Sequence, residues 1–358
     1  MAVPQAQAPE GAALIAGMSR FALVLLAVFA FAEVRADDYR ASSYVFGTIV
    51  QITVHYAAAD RAQTAVGRVF GEFDRMHREL HAWKSGDLVA LNEAIARGQA
   101  NIRTTPEIAA LIRQSQVLAG CAADLFNPAI GKLVGLWSFH RDSPGGPVPG
   151  AEDIARLVAA RPRMSDLSVR GDEVTSSNPA VQLDFGGYAK GYALDRAAEI
   201  LRAEGISNAL VNVGGNAMAL GRHGARAWRV GLDAPRGAGL LATLELKDGE
   251  AVGTSGDYRR YYEIDGKRYS HIIDPRTGYP VAGVESATVL VSSGAGTGAL
   301  SDAASKPVFI EGPRGWRKAA ASMGVTQAML VDAEGIVHVT PELKSRLSFA
   351  GSARVVIR

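Results

Sequence analysis

Chemistry in this sequence gathers where apolar runs open into turns. Asp184 closes the apolar run 181–184 directly before Gly186-Gly187, and Asp302 follows a Gly-rich turn at the expected start of a helix. A diphosphate needs a hard cation, and Mg²⁺ takes one or two carboxylates, with carbonyls, phosphates and water completing its shell. Asp is equally a favoured helix N-cap, so spacing alone leaves metal binding and capping open for both residues. His271 lies in YSHIIDPRTGYP, a strand-like run that breaks at Asp274-Pro275 and turns at Thr277-Gly278. Imidazole titrates nearest neutral pH and can relay a proton; Asp274, Arg276 and Thr277 set a carboxylate, a phosphate-pairing guanidinium and a hydroxyl beside it. An ordinary turn initiated by Asp-Pro is the competing reading.

The glycines cluster as Gly186-Gly187, Gly214-Gly215, Gly253 with Gly256, and Gly294, Gly296 and Gly298. Such turns tolerate positive φ and leave N–H groups unshielded, which suits a diphosphate; hairpin and bulge glycines explain part of the same pattern. There is no GxxxxGK[ST], which excludes a P-loop. The segment 294–299 satisfies GxGxx[GA] after the strand-like SATVLVSS, but the acidic residue expected about twenty positions on is absent, so a Rossmann site is not expected. In HRELH, His77 and His81 share a helix face, yet the Glu occupies neither zincin position; two polar-face histidines are the simpler reading. The single Cys121 excludes an internal disulfide and thiolate-rich metal sites.

Positioning these groups takes a substantial fold. The 358 residues are 48% hydrophobic and carry a net charge of only +2, enough for a real core and without a basic stripe that would point to nucleic acid. Phe21–Ala32 is an unbroken apolar stretch, with Arg20 before it and Val34-Arg35-Ala36 after it. It is short for a bilayer span and reads as a cleavable secretory signal, with Met18 as an alternative start and a mature chain beginning near Asp37; a buried core helix is the rival reading. Residues 1–36 are therefore an extension and signal, and 37–358 the working domain. The expected location is the periplasm, with membrane contact only through the signal or a membrane-bound partner.

Alternation predicts a strand over Tyr44–Tyr56, interrupted at Gly47, and further strands at 181–184, 209–213, 228–232, 241–246, 286–291 and 327–331. Three-four periodicity predicts helices over Ala59–Leu80 and Pro106–Ala119, flanking HAWKSGDLVALN with Trp83 in its loop. The loop SPGGPVPG at Ser143–Gly150 separates a helix-rich part from a strand-rich part. The expected class is α+β, with helices on antiparallel or mixed sheets and Gly-rich turns at one cleft; a doubly wound α/β sheet is the alternative.

Taken together, these segments resemble the ApbE family of FAD:protein FMN transferases. The likeness rests on ordered blocks: FGT (Phe46–Thr48), HAWKSGDLVALN (His81–Asn92), LFNPAIGKLVGLWSF (Leu125–Phe139), DFGGYAKGYALD (Asp184–Asp195), VNVGGN (Val211–Asn216), TSGDYRRYYEIDGKRYSHIIDPRTGYPV (Thr254–Val281) and SDAASKPVFI (Ser301–Ile310). The resemblance implies FAD in a cleft between two lobes, touched at Phe46, Trp83, Leu125, Phe126, Asn127, Asp184, Lys190 and His271. Trp83 suits stacking on a flavin nucleotide ring, and Lys190 suits pairing with the diphosphate. Mg²⁺ is expected at the Gly187 carbonyl and Asp302. The family pattern places a metal-binding Thr four residues after that Asp, where this chain has Lys306, so Ser305 becomes the substitute oxygen or the ammonium stands in for part of the cation's charge. The implied reaction is Mg²⁺-dependent transfer of FMN to a Thr or Ser hydroxyl of an exported electron-transfer flavoprotein, releasing AMP. His271 or Asp274 is the base, and Lys190 stabilises charge. FAD hydrolysis and non-catalytic FAD binding are the alternatives.

Overall fold

The interrupted strand expected over Tyr44–Tyr56 is instead the turn and second arm of a hairpin that begins at Tyr39 and ends at Val54. In this computed structural model, which describes residues 38–141 and 143–358, β1 (Tyr39–Val45) pairs antiparallel with β2 (Thr48–Val54). The two linking residues, Phe46 and Gly47, have φ of 56° and 68°. A two-residue hairpin whose twist matches its strands needs positive φ at both central positions, which is why the chain turns there. The expected signal at 21–36 lies outside the described residues.

The hairpin starts a nine-stranded sheet that continues in chain order through β3 (Ala209–Val213), β4 (Asn216–Leu220), β5 (Ala251–Gly256), β6 (Val284–Val291), β7 (Gln327–Asp332), β8 (Ile336–Val339) and β9 (Arg354–Ile357). Every pairing is antiparallel except β8 with β9. A doubly wound parallel sheet is thereby excluded, and the architecture is the expected α+β. The loop at 143–150 does not divide helices from strands, because β1 and β2 join the same sheet as the later strands.

Both faces of this sheet are covered. Alternate residues Ala251, Val289 and Leu330 face the larger core, built with α1 (Ala59–Glu79), α2 (Pro106–Cys121), α3 (Ala189–Ala203) and α4 (Thr297–Ser322). Their neighbours Val252, Leu290 and Met329 face a second core closed by the small sheet of Trp228–Asp233, Leu240–Leu246 and Leu347–Phe349. That two-sided burial accounts for β6, in which every residue is buried.

The predicted strand at 181–184 is not one. Its backbone is extended but pairs with a loop: Gln182 N–H donates to Ala129 O, Gly131 N–H to Gln182 O, and Asp184 N–H to Pro128 O. The Asn92 side chain takes the Leu183 N–H and donates to the Leu183 carbonyl, doing the work of a missing strand. The apolar signal was that of a buried extended segment, with no sheet neighbour to make it a strand.

Helices α3 and α4 cross through glycine. A Cβ on Gly191 would sit 2.2 Å from the Gly298 carbonyl oxygen and 2.6 Å from Asp302 Cβ. Gly191→Ala is therefore expected to destabilise by about 3 kcal/mol through overpacking. The control Gly67→Ala, on an exposed α1 face with nothing within 4 Å, should stabilise by roughly 0.5–1 kcal/mol. Urea denaturation of both variants checks the pair, and equal effects would discount the helix contact.

Candidate active site

The hairpin turn, the loop around Trp83, the Leu125–Pro128 segment and the Gly186–Lys190 turn converge on one cavity of about 940 Å³. That volume is at the upper end of the roughly 300–1,000 Å³ range of small-molecule sites. Phe46, Trp83, Leu125, Phe126, Asn127, Asp184, Gly187, Lys190 and His271 all line it.

One wall is aromatic. Phe46 packs its ring on Phe73 and His77, at centroid distances of 5.6 and 5.9 Å. Trp83 stacks on His140 at 4.4 Å, and its indole N–H donates to Asp184 at 3.3 Å. Gly135 makes room for this ring, since a Cβ there would lie 2.8 Å from the indole. Asp184 also accepts the Gly186 N–H at 2.7 Å, so it caps the single turn Phe185–Gly187 while facing the cavity. Asn127 is committed to architecture: its amide donates to Pro162 O and accepts the Ala129 N–H, which fixes the loop that presents Leu125 and Phe126.

The opposite end is cationic. Lys190, Arg260 and Lys306 reach the cavity, and all three charges bear on His271. Burial first, then these cations, push the His271 imidazole down to about 3, so it is neutral at physiological pH. Its Nδ1 lies 3.1 Å from the Arg260 carbonyl, a partner that only accepts. The proton is thus on Nδ1, and Nε2 keeps its lone pair. Arg260 is itself fixed by the Phe139 and Arg141 carbonyls, at 2.6 and 2.8 Å.

Asp302 and Ser305 do not line the cavity; Lys306 does. Asp302 lies one turn behind, 1% exposed, with one carboxylate oxygen bound by the Lys306 ammonium and the other accepting the Gly191 N–H at 2.9 Å. Lys306 also donates to the Asp302 carbonyl at 2.8 Å, and its Cε lies against Gly187. Burial alone would raise Asp302, but Lys306, Lys190 and the Gly191 N–H outweigh it and hold the carboxyl below its ordinary value. Burial lowers Lys306 to about 8 against the pull of Asp302, leaving a buried ammonium facing the cavity. The Ser305 hydroxyl is spent between the Asp302 carbonyl and the Ser255 hydroxyl, at 2.8 and 2.7 Å. These residues do not fit Mg²⁺: both Asp302 carboxylate oxygens are already paired, the Ser305 hydroxyl is spent, and the Lys306 ammonium holds Asp302 while its stem lies against Gly187, so the cationic position is filled by a side chain that cannot be a ligand.

Asp274 stays outside the cavity lining. Its carboxylate is held by the Arg276 side chain and N–H, and Arg276 reaches on to Glu311. The pair closes a turn, which the Asp-Pro alternative anticipated. The GxGxx[GA] segment does join β6 to α4, but Asp195 takes the Gly298 and Ala299 N–H groups, both at 2.8 Å, and a carboxylate already fills that helix start. Sequence reasoning missed Arg260 and His140. The adjacent Arg259-Arg260 inside the Thr254–Val281 block was an available signal for the first; nothing local marked the second.

A large hollow with an aromatic wall and a cationic end is chemically suited to an anionic, ring-bearing small molecule. The ApbE family model matches residues 46–330, and the chain belongs to that family. A FAD:protein FMN transferase from Rhodobacter capsulatus is 42% identical over 94% of this chain and 62% of its own length; the chain thus spans about three fifths of that relative. A FAD:protein FMN transferase from Treponema pallidum (strain Nichols) is 31% identical over 75% of this chain and 78% of its own. Among solved structures, the apo flavinyl transferase ApbE of Pseudomonas stutzeri superposes with a TM-score of 0.74 at 27% identity, covering 88% of this chain and 98% of that one.

Proposed function

We propose that this chain is an exported flavin transferase that binds FAD and moves its FMN half onto a Thr or Ser hydroxyl of a periplasmic electron-transfer flavoprotein, releasing AMP. The observation that carries this reading is the pairing, in one cavity, of an aromatic wall with a neutral imidazole ringed by Lys190, Arg260 and Lys306. Phosphoryl chemistry of this kind is mostly positioning and charge neutralisation. The acceptor hydroxyl attacks the phosphorus on the FMN side, and the bond from that phosphorus to the AMP phosphate oxygen breaks. The hydroxyl proton passes to His271 Nε2, the ring nitrogen left unprotonated, while the three cations meet the charge that builds on the phosphates. Lys306 supplies at its own position the charge that a divalent ion was expected to bring.

The test incubates the 37–358 protein with FAD and a candidate acceptor domain, following AMP by chromatography and the acceptor by mass spectrometry. AMP release that requires the acceptor, with one FMN added per acceptor, is the expected result. AMP release indifferent to the acceptor would establish a FAD pyrophosphatase, and tight binding of intact FAD a non-catalytic carrier.

A further inference from the structure

Outside this cavity, three side chains that no part of the proposed reaction uses meet at the first hairpin. Asp38 directly precedes β1, His55 directly follows β2, and His223 lies in the turn after β4. One oxygen of Asp38, Oδ1, is 2.8 Å from His55 Nδ1 and 2.9 Å from His223 Nε2, and the three atoms all lie within 4.8 Å of one another. Among the described residues this is the one group of three or more His, Cys, Asp or Glu side chains so arranged.

We propose that Asp38, His55 and His223 form a binding site for a divalent first-row transition ion, of which Zn²⁺ is the natural probe. Two imidazoles and a carboxylate are the donor set such ions accept, and three protein ligands leave a fourth position for water. The fold holds each ligand independently of the ion. The His55 N–H donates to the Asn208 carbonyl at 2.9 Å, and His223 exchanges backbone hydrogen bonds with Arg226 at 2.9 and 3.2 Å. Tyr39, next to Asp38, pairs with Val54, next to His55, which brings the carboxylate to the first imidazole by strand register.

An outer shell is present as well. Arg40 binds the second Asp38 oxygen at 2.7 Å, which turns Oδ1 towards the histidines. His55 abuts Tyr56 at 4.2 Å and His223 abuts Trp228 at 4.8 Å, so both ring planes are set by packing. Partners of this kind orient metal ligands and sharpen affinity. The Asp38 and His55 side chains are 13% and 11% exposed and His223 28%, so His223 is the one solvent reaches most readily. An occupied site would clip Asp38, directly before β1, to the segments that follow β2 and β4.

The experiment uses the chelator-stripped full-length protein titrated with Co²⁺ and Zn²⁺, read by visible absorption, calorimetry and thermal unfolding. One Co²⁺ per chain with the intense bands of four-coordinate geometry, displaced by Zn²⁺, is expected, together with a Zn²⁺-dependent rise in Tm. His223→Gln, the most exposed ligand and the least risk to folding, should weaken Zn²⁺ binding by about 100-fold and abolish the Tm rise, as should Asp38→Asn. A His77→Gln/His81→Gln double variant and Cys121→Ser should leave both readouts unchanged. Failure of the unmodified protein to bind either ion, equal affinity in His223→Gln, or loss of binding in the His77/His81 variant would overturn the assignment and leave Asp38 as a hydrogen-bond acceptor for two imidazoles.

Discussion

Replacing His271 by Ala is expected to slow FMN transfer by about 10²–10⁴-fold while changing FAD affinity by less than about tenfold, because the imidazole acts on the hydroxyl proton more than on the nucleotide. Stopped-flow transfer and flavin-fluorescence binding separate the two; equal losses in both would make His271 a binding residue. The pH profile adds an independent check. With its pKa lowered from 6.5 to about 3, the proton-accepting neutral form persists as pH falls through 6.5 and is lost only towards 3. The profile of kcat/KM for FAD should thus show no acid limb near 6.5 from this residue. The same shift has a stability consequence. In the unfolded chain the group takes up its proton near 6.5 but in the folded chain only near 3, so the stability it contributes is complete above 6.5 and declines as pH drops between those values. His271→Ala should flatten that part of the acid-denaturation curve.

Lys306→Thr is expected to convert a metal-indifferent site into a metal-dependent one. Removing the ammonium strips Asp302 of its charge partner in a place where its side chain is 2% exposed, and breaking such a pair costs on the order of 3–5 kcal/mol. The freed carboxylate oxygen, the new hydroxyl and the Gly187 carbonyl then form a plausible set for a hard cation. In excess chelator the variant should melt lower than the parent and lose transfer activity by about 100-fold, with Mg²⁺ restoring both. The unsubstituted protein should work in the same chelator. Collapse of its activity there would sink the view that Lys306 replaces the ion, as would a variant whose Tm ignores Mg²⁺.

Much of the fold was legible because its strands carry a two-residue period that the structure uses directly. The run 209–213 is β3 to the residue, and the predicted 327–331 differs from β7 by one residue. The errors share one cause, which is that partners are not written locally. The extended run at 181–184 lacks a neighbouring strand and is bracketed by Asn92, a residue 91 positions away. Phe46, Trp83, Leu125, Phe126, Asn127, Asp184, Lys190 and His271 share one cavity because the loops and turns inside the quoted blocks converge there. Asp302, one helical turn before Lys306, and Ser305, directly before it, carried the right chemical types but are buried outside the cavity lining, a distinction that follows from which way α4 faces. Arg260 was hidden inside a recognised block because its role depends on the carbonyl it offers to His271 eleven residues on.

The Asp195 carboxylate at the start of α4 has a cost that falls on the substrate. Burial, opposed only in part by the Ala299 and Gly298 N–H groups, raises that carboxyl to about 6, so at neutral pH it is chiefly ionised and occupies the backbone donors a phosphate would otherwise seek. The amides of that helix start are therefore not offered to the cavity, whose cationic end is made by the side chains of Lys190, Arg260 and Lys306. Under the proposed function, FAD binding to those side-chain cations should weaken as ionic strength or competing polyphosphate rises.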